Sequence, residues 1–489
     1  MREKEFKEYI SKGYNLIAIS ETIDDPGHDI LNIYQALSDC SKSYLLESLE
    51  GDKKWSRYTI VGLPSQNFID IYDKNIKVYK DNKLDEDFTV NNPISWIEEY
   101  QKEFVVLQDR KLPEFQGGLV GFFGFDAVSH FEKSIKPSNQ DDSMKTPDIS
   151  LLISRELLIF DKLKRKVHLV VYAEDSIESF NLAKSKLSTL KQAICEPIVI
   201  KKNKNISNND SPLKINYHFP KEKFISAVGK IKNYIFKGDV MQVVLSQRMS
   251  IEFKEDPFDF YKELRELNPS PYMYYLNMGD YHIVGSSPEI LVRLENNIIT
   301  VRPIAGTRPR GKDTESDKLL EIELLNDPKE KAEHLMLIDL GRNDIGRVSK
   351  VGTVNLTDQM IIEKYSHVMH MVSNVVGEIM DGLTMSDVIK ATFPAGTVSG
   401  APKIRAVEII YELELIKRGI YAGAIGYLGW NGNLDTAIAI RTCVIKNGIL
   451  NIQCGAGIVN DSVPELEWEE TINKSKAILQ AYKNLRKMK

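Results

Sequence analysis

The chain has 489 residues, 42% hydrophobic and 27% charged, which suits one large composite domain or more than one domain with a sizeable core. Its net charge of -5, with lysines interspersed among acids, excludes the clustered basic surface a phosphate backbone requires, so no nucleic acid is expected as a partner. No apolar run reaches the ~18 residues of a membrane span, and "MREKEFKEYI" is charged without an apolar signal core, so a cytoplasmic protein with no membrane contact is expected. Cys40, Cys195, Cys443 and Cys454 form no CxxC pair, which argues against a zinc site or a disulfide framework.

In chain order, "YNLIAISETI", "KSYLLESLE", "RYTIVGLP", "FIDIYDKNIKVYK", "GGLVGFFGFD" and "RKVHLVVYAE" predict strands, and "IESFNLAKSKLSTLKQAI" predicts a helix. Residues 201–216, "KKNKNISNNDSPLKIN", are polar and Asn-rich. They set a linker over 196–216, between an N-terminal region 1–195 and a C-terminal region 217–489. The second region opens on a helix, "KEKFISAVGKIKNYIFKGD", and continues with strands in "VMQVVLSQRMSIEF", "YMYYLNMGDYHIVGSS" and "IITVRPIAGT". Helices are expected around 317–340, 384–390 and 401–416, then strands in "AGAIGYLGW" and "DTAIAIRTCVIKNGILNIQCGAGIV", and a last helix over 464–486. "NGNLD" and "KNGIL" are hairpin-turn signals. Hairpins this frequent favour antiparallel sheets and an α+β fold over a doubly wound parallel sheet.

Two ExxE pairs stand at helix starts. In "DPKEKAEH" Asp327 fits an N-cap, Pro328 the first turn and Glu330 a capping box, with Glu333 one turn further on. In "PELEWEE" Glu467 and Glu470 share a helix face. Acids in a first turn also favour the helix dipole, and Glu470 is placed to pair with Lys474. Together the pairs could supply four carboxylates to a hard divalent ion such as magnesium. "FPAGTVSGAPK" is a glycine-containing loop leading into a helix, with Thr397 and Ser399 as hydroxyls; it lacks the spacing of a nucleotide-binding loop. "CGAGIV" places Gly455 and Gly457 at a strand end, as a tight turn or as a surface for a ligand carboxylate. Arg441, read here within a strand, suits a carboxylate or a strand-edge salt bridge. His370 reads as a core histidine or a titrating group. Glu289, after Pro288, reads as a turn acceptor or a general acid of raised pKa.

Read together, "GDVMQVVLSQR", "GSSPEILVR", "RPIAGTRPRG", "EHLMLIDLGRNDIGRV", "FPAGTVSGAPK", "YAGAIGYLG" and "CGAGIVNDSVPELEWEE" occur in the order seen in chorismate-utilising enzymes. With "LLES" (45–48), "RYTIVG" (57–62) and "NPSPYMYY" (268–275), the chain resembles the anthranilate synthase large subunits of that family. The resemblance implies an α/β sandwich of large, mostly antiparallel sheets with helices outside. It implies a magnesium site with Glu333 and Glu470 as direct ligands and Glu330 and Glu467 acting through water. It places Tyr421 and Arg441 on the pyruvyl carboxylate of chorismate, and Gly306, Thr307, Thr397, Gly455, Ala456 and Gly457 around the substrate. It makes Glu289 the general acid and assigns His370 to pyruvate elimination. Related isochorismate and salicylate synthases carry a lysine where Gln242 stands, and aminodeoxychorismate synthases a lysine where Ala305 stands. Both departures point to anthranilate formation. The chain shows no glutaminase motif, so ammonia is expected from a separate glutamine amidotransferase subunit, in a heterotetramer. "LLES" and "NPSPYM" resemble a tryptophan feedback site, with Glu47, Ser48 and the backbone of Pro271, Tyr272 and Met273.

Overall fold

Strands such as Gly118–Phe123 and Ile149–Ser154 are buried at every residue, as expected of strands covered on both faces. The computed structural model describes residues 1–49, 57–136, 138, 140–197, 212–365 and 368–487. Most of the expected linker, residues 198–211, lies outside them. Among the described residues two sheets form, of thirteen and twelve strands. Their facing surfaces enclose one apolar layer, in which Tyr44, Leu157 and Tyr274 of the first sheet meet Phe68, Val120 and Ile425 of the second. The outer face of the first sheet is covered by helices Ile177–Cys195, Pro257–Leu267 and Pro464–Lys487. Helices Lys221–Phe236 and Lys403–Leu413 pack on strand Gln242–Glu252 of the first sheet, and their buried residues join the core that also lines the outer face of the second. The result is the expected α+β sandwich.

Both sheets are composite. Tyr272–Asn277 lies antiparallel to Ser43–Glu47, from Met273 opposite Glu47 to Asn277 opposite Ser43. Ala424–Gly429 lies antiparallel to Gly118–Phe123. Leu16–Asp24 is parallel to the short Val106–Leu107 and antiparallel to Lys166–Glu174. The hairpin signals are realised: Asn447 (φ +52°) and Gly448 (φ +70°) join Thr442–Lys446 to Ile449–Ile458, with the two positive φ angles that a type I′ turn needs. The helix expected over 317–340 is two helices, Thr314–Asn326 and Pro328–Gly346. Pro328 has no N–H to continue the first, and Asp327 accepts hydrogen bonds from the Lys329 and Glu330 amides (3.0 and 3.2 Å) to start the second.

Twice near the site the chain crosses between sheets. It passes from Tyr281–Ser287 in the first to Ile290–Glu295 in the second, and from Leu434–Ile438 in the second to Thr442–Lys446 in the first. The crossings are bonded together: the Ser286 amide donates to the Arg441 carbonyl (3.1 Å) and the Ile438 amide to that of Glu289 (3.0 Å). Arg441 is therefore not within a strand as the sequence suggested. It holds a left-handed φ of +48° at the crossing, a conformation costly for a non-glycine residue and kept only where its surroundings enforce it.

Candidate active site

Glu289 occupies the first crossing and is 7% exposed. Burial pushes its carboxyl up to about 8, against the Thr397 hydroxyl and the more distant charges of Arg441 and Lys474. It is therefore a neutral, proton-bearing acid near pH 7. The cavity beside it, about 40 Å³, is lined by Glu289, Ile290, Arg302, Gly396 and Thr397 among others. That volume admits water and is smaller than a substituted ring.

His370 lies on Val368–Glu378, with Nδ1 3.0 Å from the Thr307 hydroxyl and 3.2 Å from the Gly306 carbonyl. A carbonyl only accepts, so the hydrogen-bond network assigns the proton to Nδ1 and leaves Nε2 the basic nitrogen. Burial, then the Arg441 charge, lower the imidazole pKa to about 4. His370 is thus neutral near pH 7, with Nε2 free of the bonds that hold Nδ1.

The strand pair Gln242–Glu252 and Ile449–Ile458 forms another wall, with Gly457 opposite Val244 and Gly455 opposite Ser246. A Cβ on Gly455 would stand 2.9 Å from the Tyr421 hydroxyl, and one on Gly457 2.6 Å from the Gln242 amide nitrogen. A side chain at Gly455 would crowd the buried Tyr421 hydroxyl, whereas one at Gly457 would displace the end of the Gln242 side chain. Ala456 is fully buried between them in chain order. Strand alternation turns its methyl to the opposite face, so only its backbone is available to a ligand on the glycine side. Tyr421 is buried, with the Arg418 guanidinium 5.6 Å from its ring centre.

The two ExxE pairs come together. Glu333 is half-buried, accepts a 3.4 Å hydrogen bond from the Gln242 amide, and has its pKa raised by burial and then by Glu330 and Glu470. Glu467 is raised by burial and by Glu470. Glu330 does not close the expected capping box; its carboxylate turns to Arg308 (3.4 Å). Glu470 pairs with Lys474 at 2.7 Å. Among the described residues no three acidic, histidine or cysteine side chains converge as a ready-made metal cage. The donor set nevertheless fits a hard cation: the carboxylates are oxygen-only, Glu333 is repelled by Glu330 and Glu470 and Glu467 by Glu470, and Lys474 and Arg308 are their present counter-charges. Lys474 and Arg308 were not singled out as site residues from sequence. The i,i+4 spacing of Lys474 from Glu470 marks an ordinary helix pair, yet its ammonium also donates to the Gly455 carbonyl (2.9 Å). Arg308, two residues beyond Gly306, lies within the quoted "RPIAGTRPRG".

A separate cavity of about 670 Å³ is lined by Glu47, Ser48, Pro271, Tyr272 and Met273 among others. The Glu47 carboxylate is spent on Tyr261 (2.7 Å) and Arg265 (2.7 and 3.1 Å). It holds helix Pro257–Leu267 to the strand and leaves no free charge for a ligand. The buried Ser48 hydroxyl has no partner among the described residues, so an unmet polar group remains at this wall. Tyr272 donates to Asp435 (2.9 Å).

A sandwich of two large sheets, with a buried acid and an arginine at its inter-sheet crossings, a neutral histidine on strand Val368–Glu378 and facing carboxylates on two helices, has the make-up of an acid–base enzyme. The chain belongs to the chorismate binding enzymes, whose family model matches residues 48–480. It is 51% identical over 485 residues to anthranilate synthase component 1 of Pseudomonas aeruginosa, covering 98% of each chain. The crystal structure of anthranilate synthase component I from Streptococcus pneumoniae superposes with a TM-score of 0.77 at 40% identity, over 88% of this chain and 93% of that one. The menaquinone-specific isochorismate synthase of Escherichia coli shares the fold, with a TM-score of 0.71 at 16% identity over 98% and 99%.

Proposed function

We propose that the chain converts chorismate and ammonia to anthranilate and pyruvate, a lyase reaction opening tryptophan biosynthesis in the cytoplasm. The observation that carries this reading is Gln242. Its amide stands against Gly457 and 3.4 Å from Glu333. An amide cannot accept a proton to activate water, so the attacking species must arrive already nucleophilic, as ammonia does. Ala305 likewise offers no amine to attack the ring.

In the first step ammonia adds to the ring beside its carboxylate, and the ring hydroxyl departs as water on taking the Glu289 proton. In the second, the ring carbon bearing nitrogen loses its hydrogen as a proton, the bond from the ring to the enolpyruvyl oxygen breaks and the ring aromatises, while the departing enolpyruvate takes a proton at its methylene carbon to become pyruvate, with His370 Nε2 serving this proton transfer. Tyr421 and Arg441 hold the pyruvyl carboxylate, while Thr307, Thr397 and the backbone at Gly306, Gly455, Ala456 and Gly457 orient the ring. Glu330, Glu333, Glu467 and Glu470 would hold a magnesium ion, which when bound neutralises the ring carboxylate.

Cys454 is buried and its thiol pushed up to about 12, the opposite of a glutaminase nucleophile. Ammonia is therefore supplied by a separate glutamine amidotransferase subunit, within a heterotetramer. Tryptophan in the large cavity, against Ser48 and the Pro271–Met273 backbone, lowers affinity for chorismate. Incubation of the purified chain with chorismate, magnesium and an ammonium salt tests the reading. Fluorescent anthranilate should appear, disappear with chelator and decrease on adding tryptophan; isochorismate or an aminodeoxychorismate product would overturn it.

A further inference from the structure

The two cavities share a wall. Ile290 and Arg302 line both, while Pro288 faces the large cavity and Glu289 the small one. Arg302 lies at the break between strands Ile298–Val301 and Ile304–Pro309, which pair one after the other with the strand bearing His370. Its guanidinium forms an ion pair with Glu363, the side chains being 14% and 21% exposed. Glu363 stands opposite His370 in the strand register and accepts a 2.8 Å hydrogen bond from the Tyr365 hydroxyl. The Tyr365 ring meets the imidazole edge-on at 5.6 Å. A largely buried ion pair is a weak source of stability. Its effect here is geometric: it fixes the side chain between two cavities to the strand opposite the catalytic imidazole.

We propose that Arg302 is a positioning residue that sets His370 through Glu363 and Tyr365, and through which occupancy of the large cavity changes the site. The proposal rests on the reading of the large cavity as the tryptophan site and names the residues that link it to the chemistry. A ligand there bears on Ile290 and Arg302, and these side chains cannot shift without moving the wall that holds Glu289. Because the coupling is a free energy, it acts in both directions.

The test uses the full chain with ammonium as nitrogen donor, in wild type, R302K and E363Q. R302K keeps the charge but loses the planar fork; E363Q keeps the shape but loses the ion pair. Chorismate KM and kcat are measured with and without tryptophan, and tryptophan binding is measured directly by calorimetry. Wild type should show tryptophan raising the chorismate KM by about 5-fold or more, the usual lower range of such coupling. Both variants should bind tryptophan within about twofold of wild type, yet show a rise in KM below about twofold, with a lower kcat. A residue of purely structural importance would lower kcat and leave the tryptophan effect on KM intact; that outcome in both variants overturns the proposal. Should E363Q fail to fold, R302K decides. A wild-type chain that binds no tryptophan overturns the regulatory reading and the coupling together, and is recognised before any variant is compared.

Discussion

Glu289 carries a proton that the unfolded chain would release. Its pKa is about 8 in the fold against 4.5 ordinarily, so between those values the native state binds the extra proton. Stability should therefore fall as pH rises through that window, and flatten above about 8. E289Q, which cannot ionise, should melt higher than wild type at about pH 9 and close to it at about pH 4, in paired thermal scans. The same variant should lose about 10²–10⁴-fold in kcat with chorismate affinity little changed, since only proton transfer is removed. In the parent enzyme kcat should decline on the alkaline side as the acid ionises, and no acidic limb should come from His370 above its pKa of about 4. Much at this scale was legible in the sequence, because Pro288 before Glu289 and the glycines around Ala456 restrict what each position can do. Arg441 was not: flanking apolar residues imitate a strand, while the left-handed turn it makes depends on which sheet lies on either side.

Helix Pro328–Gly346 shows how a local rule can be half obeyed. Asp327 caps it as the sequence predicts, but Glu330 leaves the cap for Arg308, and the Asp327 carboxylate also meets Arg308 at 2.8 Å. D327A should destabilise the chain by about 1 kcal/mol in denaturant unfolding, the usual value of an N-cap. Its larger effect should be on magnesium dependence, through the displaced Arg308. E333Q on this helix and E470Q on the facing helix Pro464–Lys487 should each raise the magnesium concentration needed for half activity by at least about tenfold, as expected of metal ligands. Chelator should lower the melting temperature of wild type more than that of either variant. Helix positions were readable because caps and periodicity are local. The approach of the two ExxE pairs was expected from the family resemblance and not from local pattern, since helices so far apart in sequence are brought together by tertiary packing.

At the scale of the molecule, the two regions on either side of 196–216 are interleaved. Ser43–Glu47 lies between Tyr58–Gly62 and Tyr272–Asn277 in one sheet, and neither region holds a complete sheet of its own. Residues 1–195 and 217–489 produced separately should each expose strand edges and aggregate, whereas co-expression should restore soluble, active protein, as read by gel filtration and anthranilate fluorescence. Hairpin signals reveal which strands are antiparallel neighbours in sequence. They do not reveal that Met273 faces Glu47, because such a distant pairing is selected by the packed core and by no nearby turn.

The two inter-sheet crossings act as a staple driven through both layers. Their mutual hydrogen bonds mean that any sliding of one sheet over the other carries the acid at Glu289 and the guanidinium at Arg441 together, so the span between them is insulated from breathing of the sandwich. Under the proposed reaction the chemistry can then be altered at Gln242, on strand Gln242–Glu252 outside the crossings, while that span is kept. For engineering under that proposal, position 242 is the place to change the attacking nucleophile and the crossings the place to leave alone.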